Sequence, residues 1–209
     1  MADVLDWLET PDQSIMIVLS PGEDDLDRDE RFERACQMFP EMKIEMDEAG
    51  NIVMTPGNSD DSSFRSGEAF RQLAEWSRKD GTGRAFEATA NFNLPDGSKR
   101  QPDASWVPKT VLAQEGKAKL KSATKTRHVP VFLIEVTSPS DRLPEQQEKC
   151  RKWLRNGVQE ALLVHPKTRT VYVFRPSAEM LTIADAISVE SDVLTGFVLD
   201  CAPLWEDLF

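Results

Sequence analysis

The spacing of apolar and polar residues predicts helices and strands along most of the chain. Residues 31 to 39 and 63 to 79 place apolar side chains at the three- and four-residue intervals of an amphipathic helix, and Pro40 and Gly81 end these segments. Residues 42 to 54 alternate with period two around the turn sequence EAGN, which is the pattern of a hairpin. The first part of the chain is therefore expected to combine helices with a hairpin.

The middle of the chain predicts the centre of a sheet. Residues 86 to 94 alternate as FEATANFNL and are expected to form one half-buried strand, which a turn at 95 to 97 joins to a returning strand at 100 to 107. The lysine-rich stretch from 109 to 127 is expected to be partly helical. Residues 131 to 136, VFLIEV, are almost entirely apolar, which predicts a central strand covered on both faces.

The last third of the chain is predicted to contain a further helix followed by two strands. Pro144 is suited to the first turn of a helix over about 144 to 156, and Gly157 ends it. Two strands, at 160 to 164 and 170 to 174, flank a tight turn. Together the elements predict an α/β fold of mixed (α+β) character, with a central mixed sheet flanked by helices.

The charged residues are unevenly distributed. The formal net charge is −11 at pH 7, but residues 1 to 48 hold 15 acids and 4 bases, so the remainder is neutral. Residues 99 to 155 hold 13 bases and 6 acids, and this basic middle permits a partner that carries phosphate. We expect an acidic segment with a short helix at 1 to 40 and one folded domain at 41 to 209.

Several classes of protein are excluded by composition. The longest uninterrupted apolar stretch has six residues, far fewer than the roughly 20 that cross a bilayer, so no membrane partner is expected. Three distant cysteines and an acidic start, MADVLDWLET, favour a reducing, cytoplasmic location. The chain has two histidines, which argues against most zinc enzymes, and it contains no phosphate-binding GxxxxGK[ST] loop.

Glu135 carries the clearest chemical information. An ionised carboxylate in a central strand costs several kcal/mol unless it is paired, protonated or bound to a cation. Asp103, at the start of the preceding predicted strand, is a second acid that a divalent metal would hold beside it. An ion pair with Arg127 or Lys149 would satisfy Glu135 equally well. The residues alone therefore leave a metal site and a structural salt bridge both open.

The order of these motifs resembles that of the PD-(D/E)XK nuclease superfamily. The motifs are PD at 102 to 103, EVTS at 135 to 138 and KCRKWLRNGVQEALLVHP at 149 to 166. More narrowly, residues 42 to 205 are similar to the small stand-alone restriction-endonuclease family, abundant in cyanobacteria, that is called the Uma group. A glutamate on the first hairpin strand of that family is matched by Glu45.

The resemblance implies a restriction-endonuclease-like core that cleaves DNA phosphodiester bonds with Mg²⁺, or with Mn²⁺ in its place. It assigns Asp103 and Glu135 as the metal ligands. It assigns to Lys149 the role of stabilising the nucleophile or the charge of the transition state. Glu45 would complete the catalytic set. Thr137 stands where the superfamily usually has its lysine, and the Uma-type relatives carry the lysine on the following helix instead, with an aromatic residue that Trp153 matches.

Two further points follow from the resemblance. Ser66 stands on the predicted helix where many relatives have a histidine, so the accessory part of the site differs here. A homodimer is the oligomeric state suggested by analogy with restriction-type folds. The alternative function is a nuclease-derived binding or assembly module with weak or absent catalysis, because the acidic first third of the chain would repel nucleic acid if it lay near the site.

Overall fold

The computed structural model describes residues 17–20, 27–55, 59–119 and 128–206. The helices of this part are α1 (Arg28–Met38), α2 (Asp60–Asp80), α3 (Lys109–Lys119) and α4 (Leu143–Arg155). The strands are β1 (Ile17–Leu19), β2 (Lys43–Met46), β3 (Ile52–Thr55), β4 (Gly83–Glu87), β5 (Phe92–Asn93), β6 (Lys99–Arg100), β7 (Ala104–Pro108), β8 (Phe132–Val136), β9 (Glu160–His165), β10 (Thr170–Phe174), β11 (Leu181–Ile183), β12 (Ser188–Glu190) and β13 (Val198–Asp200). Short 3₁₀ turns occupy Pro166–Thr168 and Ala202–Trp205.

The strands form two main sheets. The larger sheet has the order β11-β10-β9-β8-β7-β4, with β8 and β9 parallel and the other neighbours antiparallel. The smaller sheet, β1-β3-β2-β6-β5, is antiparallel throughout, and β12 and β13 form a separate ribbon. The predicted α/β class, with a central mixed sheet flanked by helices, is confirmed.

Capping residues explain where the two long helices begin and end. The hydroxyl of Ser59 accepts a hydrogen bond from the Ser62 N–H, 3.3 Å away, at the start of α2. Gly81 ends α2 in the left-handed conformation, with φ of 74°, as expected for a glycine just past a helix. Pro144 lies in the first turn of α4, where its missing N–H costs no hydrogen bond.

Strand β8 is covered on both faces, as its apolar sequence predicts. Phe132 and Ile134 pack in one cluster with Leu73 of α2, whereas Leu133 packs in another with Trp153 of α4. Alternate residues of a strand point to opposite faces, so α2 and α4 lie on opposite sides of the larger sheet. The side chain of Glu135 therefore points to the side that α4 covers.

The expectation of a single strand over residues 86 to 94 is wrong. The chain turns after β4, where the Ala90 N–H donates to the Glu87 carbonyl at 3.0 Å. Strand β4 pairs with β7 in the larger sheet, whereas β5 pairs with β6 in the smaller one. The predicted returning strand at 100 to 107 is divided in the same way, because β6 and β7 belong to different sheets. Residues 120–127 of the lysine-rich stretch lie outside the described part.

Helix α1 covers the outer face of the smaller sheet. Asp27 and Glu30 form a capping box at its start, which places the helix three residues earlier than the apolar spacing predicts. Phe32 packs against Ile44 of β2 and Met54 of β3 in one apolar cluster. The domain boundary near residue 40 stays a prediction. In the described residues, no helix is long and apolar enough to cross a membrane.

Candidate active site

The structure brings the four predicted site residues together where the two sheets meet beneath α4. Glu45 lies on β2, Asp103 immediately before β7, Glu135 on β8 and Lys149 on α4. The two sheets are joined at this point by the short segment between β6 and β7, which contains Asp103.

Asp103 and Glu135 face each other across two antiparallel strands. Ala104 pairs with Ile134, so the next step of the same register places Asp103 opposite Glu135. Directly opposed residues project from the same face of a sheet. The Asp103 carboxylate is also held by the backbone, because its Oδ2 accepts the Val136 N–H at 2.8 Å. The strand pairing itself therefore fixes both carboxylates.

Glu135 is 3% exposed and is held by two side chains of α4. Its Oε1 accepts the indole N–H of Trp153 at 2.9 Å, and its two oxygens lie 3.0 and 3.1 Å from Lys149 Nζ. Lys149 and Trp153 are four residues apart and therefore share one face of the helix. The helix is the crossover between the parallel strands β8 and β9, which packs it over β8 and directs that face at Glu135.

Glu45 approaches the same lysine from the smaller sheet. Its Oε1 lies 3.5 Å from Lys149 Nζ and accepts the Gln101 N–H at 2.8 Å. Its Oε2 lies 3.9 Å from the guanidinium of Arg100, which also contacts Glu48 at 3.3 Å. Lys149 therefore links carboxylates from both sheets.

Lys43 is a site residue that the sequence-based reasoning missed. Its Nζ lies 3.6 Å from Asp103 Oδ1. Lys43 and Glu45 are two residues apart on β2, so both side chains project from the same face of the strand. That spacing was the available signal, but it becomes informative only once β2 is known to lie close to Asp103.

The local charges shift the pKa values of the acids in different directions. Burial raises the pKa of Glu135 above its ordinary value; Lys149 opposes this rise and Asp103 adds to it. Burial would also raise the pKa of Glu45, but the charges of Lys149, Lys43 and Arg100 outweigh it and hold that pKa below its ordinary value. Burial would lower the pKa of Lys149, but Glu135 and Glu45 raise it, so Lys149 remains protonated.

The two positions at which the sequence departs from the superfamily pattern lie apart from these contacts. The Thr137 hydroxyl is 2.8 Å from His165 Nδ1, at the ends of the parallel strands β8 and β9. The Ser66 hydroxyl donates to the Ser63 carbonyl of its own helix at 3.1 Å. Helix α2, which carries Ser66, packs on the face of the larger sheet opposite to α4.

The resemblance to restriction-endonuclease-like nucleases assigns the site to two carboxylates and a lysine of the following helix, and the structure brings these residues together. The chain belongs to the Uma2 family, described as "Putative restriction endonuclease", whose model matches residues 29–202. The family predicted from the motif order is therefore confirmed. No curated protein matches the chain.

The fold is also similar to a solved structure. It is the crystal structure of a protein from Anabaena variabilis, described as a putative nuclease belonging to DUF820. The two chains share 21% sequence identity with a TM-score of 0.66, and the match covers 78% of this chain and 89% of the other. At this identity the similarity establishes the fold, and it agrees with the restriction-endonuclease-like core that the sequence predicts.

The donors at the site suit a hard divalent cation. In the part of the chain that the structure describes, no group of three or more His, Cys, Asp or Glu side chains could hold a metal ion. Mg²⁺ nevertheless needs only one or two protein carboxylates, since it keeps several waters and binds substrate phosphate. Asp103 and Glu135 supply two carboxylates on one face, so the residues present fit Mg²⁺.

Proposed function

We propose that this protein is a magnesium-dependent endonuclease that hydrolyses phosphodiester bonds of DNA. The observation that carries the proposal is the convergence of Glu135, Asp103 and Lys149 on one face of the larger sheet, with Glu135 buried in its centre. A buried acid beside like charges is costly for folding, and sites of this kind are enriched in functional residues. Family membership supports the nuclease class.

Asp103 and Glu135 would hold the Mg²⁺ ion. A bound divalent cation lowers the pKa of a coordinated water and neutralises charge on the phosphate. The second oxygen of Asp103 stays fixed by the Val136 N–H, so this carboxylate does not have to reorganise to bind. The indole of Trp153 holds Glu135 in the same way.

Lys149 supplies positive charge to the reacting phosphate. It remains protonated, and its compact ammonium donates a hydrogen bond to a phosphate oxygen as charge develops there. In the reaction a water oxygen bonds to phosphorus and the bond from phosphorus to the leaving oxygen breaks. One water proton passes to solvent, and the leaving oxygen takes a proton from solvent. Glu45 helps to orient Lys149 from the smaller sheet, with its Oε1 3.5 Å from Lys149 Nζ.

Metal titration combined with a cleavage assay tests this proposal. The wild-type protein should bind Mg²⁺ or Mn²⁺ in calorimetry and should nick or linearise a supercoiled plasmid, and EDTA should stop the cleavage. Asp103→Asn should weaken metal binding at least about tenfold and reduce cleavage on the order of a thousandfold. Asp29→Asn is the matched control, because Asp29 pairs with Lys99 and its side chain is 68% exposed.

A wild-type protein that neither binds Mg²⁺ or Mn²⁺ nor cleaves the plasmid would contradict the proposal. In that case the fold would serve as a binding or assembly module. DNA binding without cleavage would support that alternative.

A further inference from the structure

The two oxygens of Asp103 have different partners. Oδ2 accepts the backbone N–H of Val136 at 2.8 Å, which is a well-formed hydrogen bond. Oδ1 faces Lys43 Nζ at 3.6 Å, which is an ion-pair distance and too long for a hydrogen bond. The oxygen that remains for a metal ion is therefore the one that Lys43 neutralises.

Lys43 differs from the other positively charged residues around the site in its ion-pair partners. Arg100 and Lys152 both contact Glu48, at 3.3 and 2.6 Å, and Lys149 is held between Glu45 and Glu135. Within the described residues, Lys43 has one ion-pair partner, Asp103. Its side chain is 25% exposed, compared with 16% for Lys149, so it is the more accessible of the two lysines.

A cation that binds Asp103 competes directly with Lys43. Two positive charges on one carboxylate oxygen repel each other, so metal binding would displace the ammonium group from Asp103. The four-carbon stem of a lysine is flexible and allows its charge to move by several ångström. A phosphate of the bound DNA is then the nearest new anion, because the same metal ion would hold it at this site.

We propose that Lys43 is a second phosphate-binding lysine of this site, paired with Asp103 in the metal-free protein and transferred to the substrate phosphate when metal binds. The inference rests on the proposed function, since it assigns a further catalytic residue to that reaction. Lys43 keeps its proton throughout and contributes charge and a hydrogen bond to the phosphate. Lys149 contacts the phosphate from the helix, and Lys43 contacts it from strand β2.

Two substitutions of Lys43 separate its two roles. Lys43→Met removes the charge and keeps most of the length, so Mn²⁺ should bind about three- to fivefold more tightly in calorimetry without DNA. The same variant should cleave an oligonucleotide on the order of a hundredfold more slowly in single turnover at saturating metal. Lys43→Arg should bind metal like the wild type and retain cleavage within about tenfold.

Lys152→Met is the matched control. Lys152 has a similar exposure, 28%, and pairs with Glu48 outside the carboxylates of the site. It should leave metal affinity and the single-turnover rate within about twofold of the wild type. Thermal unfolding of both methionine variants checks that the fold is intact.

The two proposals fail in different ways. Cleavage by Lys43→Met at the wild-type rate, or weaker metal binding by this variant, would overturn the role of Lys43 while leaving Asp103 as a metal ligand. A wild-type protein that neither binds metal nor cleaves DNA would overturn the proposed function and the role of Lys43 together.

Discussion

Glu135 and Glu160 lie on neighbouring strands of the larger sheet, and both are buried, with 3% and 0% of their surfaces exposed. Glu160 accepts hydrogen bonds from Arg175 Nε at 2.7 Å and from the Asp192 N–H at 3.4 Å, and it also contacts the Ser191 hydroxyl. These contacts attach the segment around residue 191 to the start of β9. Glu135 is held by Lys149 and Trp153 but faces two further acids.

The difference lies in the charges around the two glutamates. Glu160 belongs to a network whose donors neutralise it, which is the usual solution for a buried acid in a structural role. The pKa of Glu135 is raised by burial and by the nearby Asp103, despite the charge of Lys149. Keeping such a carboxylate lowers the stability of the fold. A like charge beside a buried acid is therefore a stronger sign of function than burial alone.

The same substitution at both positions tests this contrast, and the largest effect is expected at Glu135. Glu135→Gln should reduce DNA cleavage about a thousandfold or more, because a metal ligand becomes a neutral amide. The unfolding free energy should stay within about 1 kcal/mol of the wild type, since repulsion among the acids is relieved. Single-turnover cleavage and urea unfolding measure the two quantities. Wild-type cleavage by this variant would make Glu135 structural, like Glu160.

Glu160→Gln should show the reverse pattern. We expect a loss of about 2 kcal/mol in the unfolding free energy, because Arg175 loses its buried charged acceptor. This is less than for a fully buried pair, since the Arg175 side chain is 27% exposed and still contacts Asp192. Below the unfolding temperature, metal binding and cleavage should be those of the wild type. A selective loss of cleavage in the folded variant would contradict the structural role.

The contributions of Glu135 and Glu45 to stability should change with pH in opposite directions. This effect should be smaller than the effects of the two substitutions above. The pKa of Glu135 is raised in the folded state, so its contribution to stability is present below the ordinary value of 4.5 and is lost as pH rises. The pKa of Glu45 is lowered, so its contribution is present above 4.5 and is lost as pH falls.

Unfolding free energies of the metal-free glutamine variants check these signs. As pH rises above 4.5, Glu135→Gln should gain stability relative to the wild type. Glu45→Gln should instead lose stability relative to the wild type as pH rises towards 4.5, and the difference should stay constant above that pH. Parallel pH profiles for the two variants would show that the two acids have equivalent environments.

The sequence predicted the elements whose apolar periodicity is long and regular. The hairpin of β2 and β3, helix α2, the central strand β8 and helix α4 all lie where the pattern places them. Residues 86 to 94 were mistaken for one strand because period-two alternation reports which side chains are buried and carries no information on the pairing partner. The alternation continues through the turn, although β4 and β5 belong to different sheets.

The sequence predicted the candidate site only through the order of its motifs along the chain. The order of Glu45, Asp103, Glu135 and Lys149 resembles that of the family, and the structure places these side chains side by side. Lys43 was missed because a lysine in a hairpin is usually a solvated surface residue. Its role depends on β2 lying beside Asp103, a contact between segments about 60 residues apart that no local pattern encodes.

The distribution of the site along the chain has a consequence for biosynthesis. Glu45, Asp103 and Glu135 are made before Lys149, and β8 acquires its parallel neighbour only when β9, ending at His165, has been synthesised. A ribosome-bound chain that ends between β8 and α4 contains the carboxylates but lacks the helix and the strand that assemble them. Formation of the site therefore waits until β9 has left the ribosome.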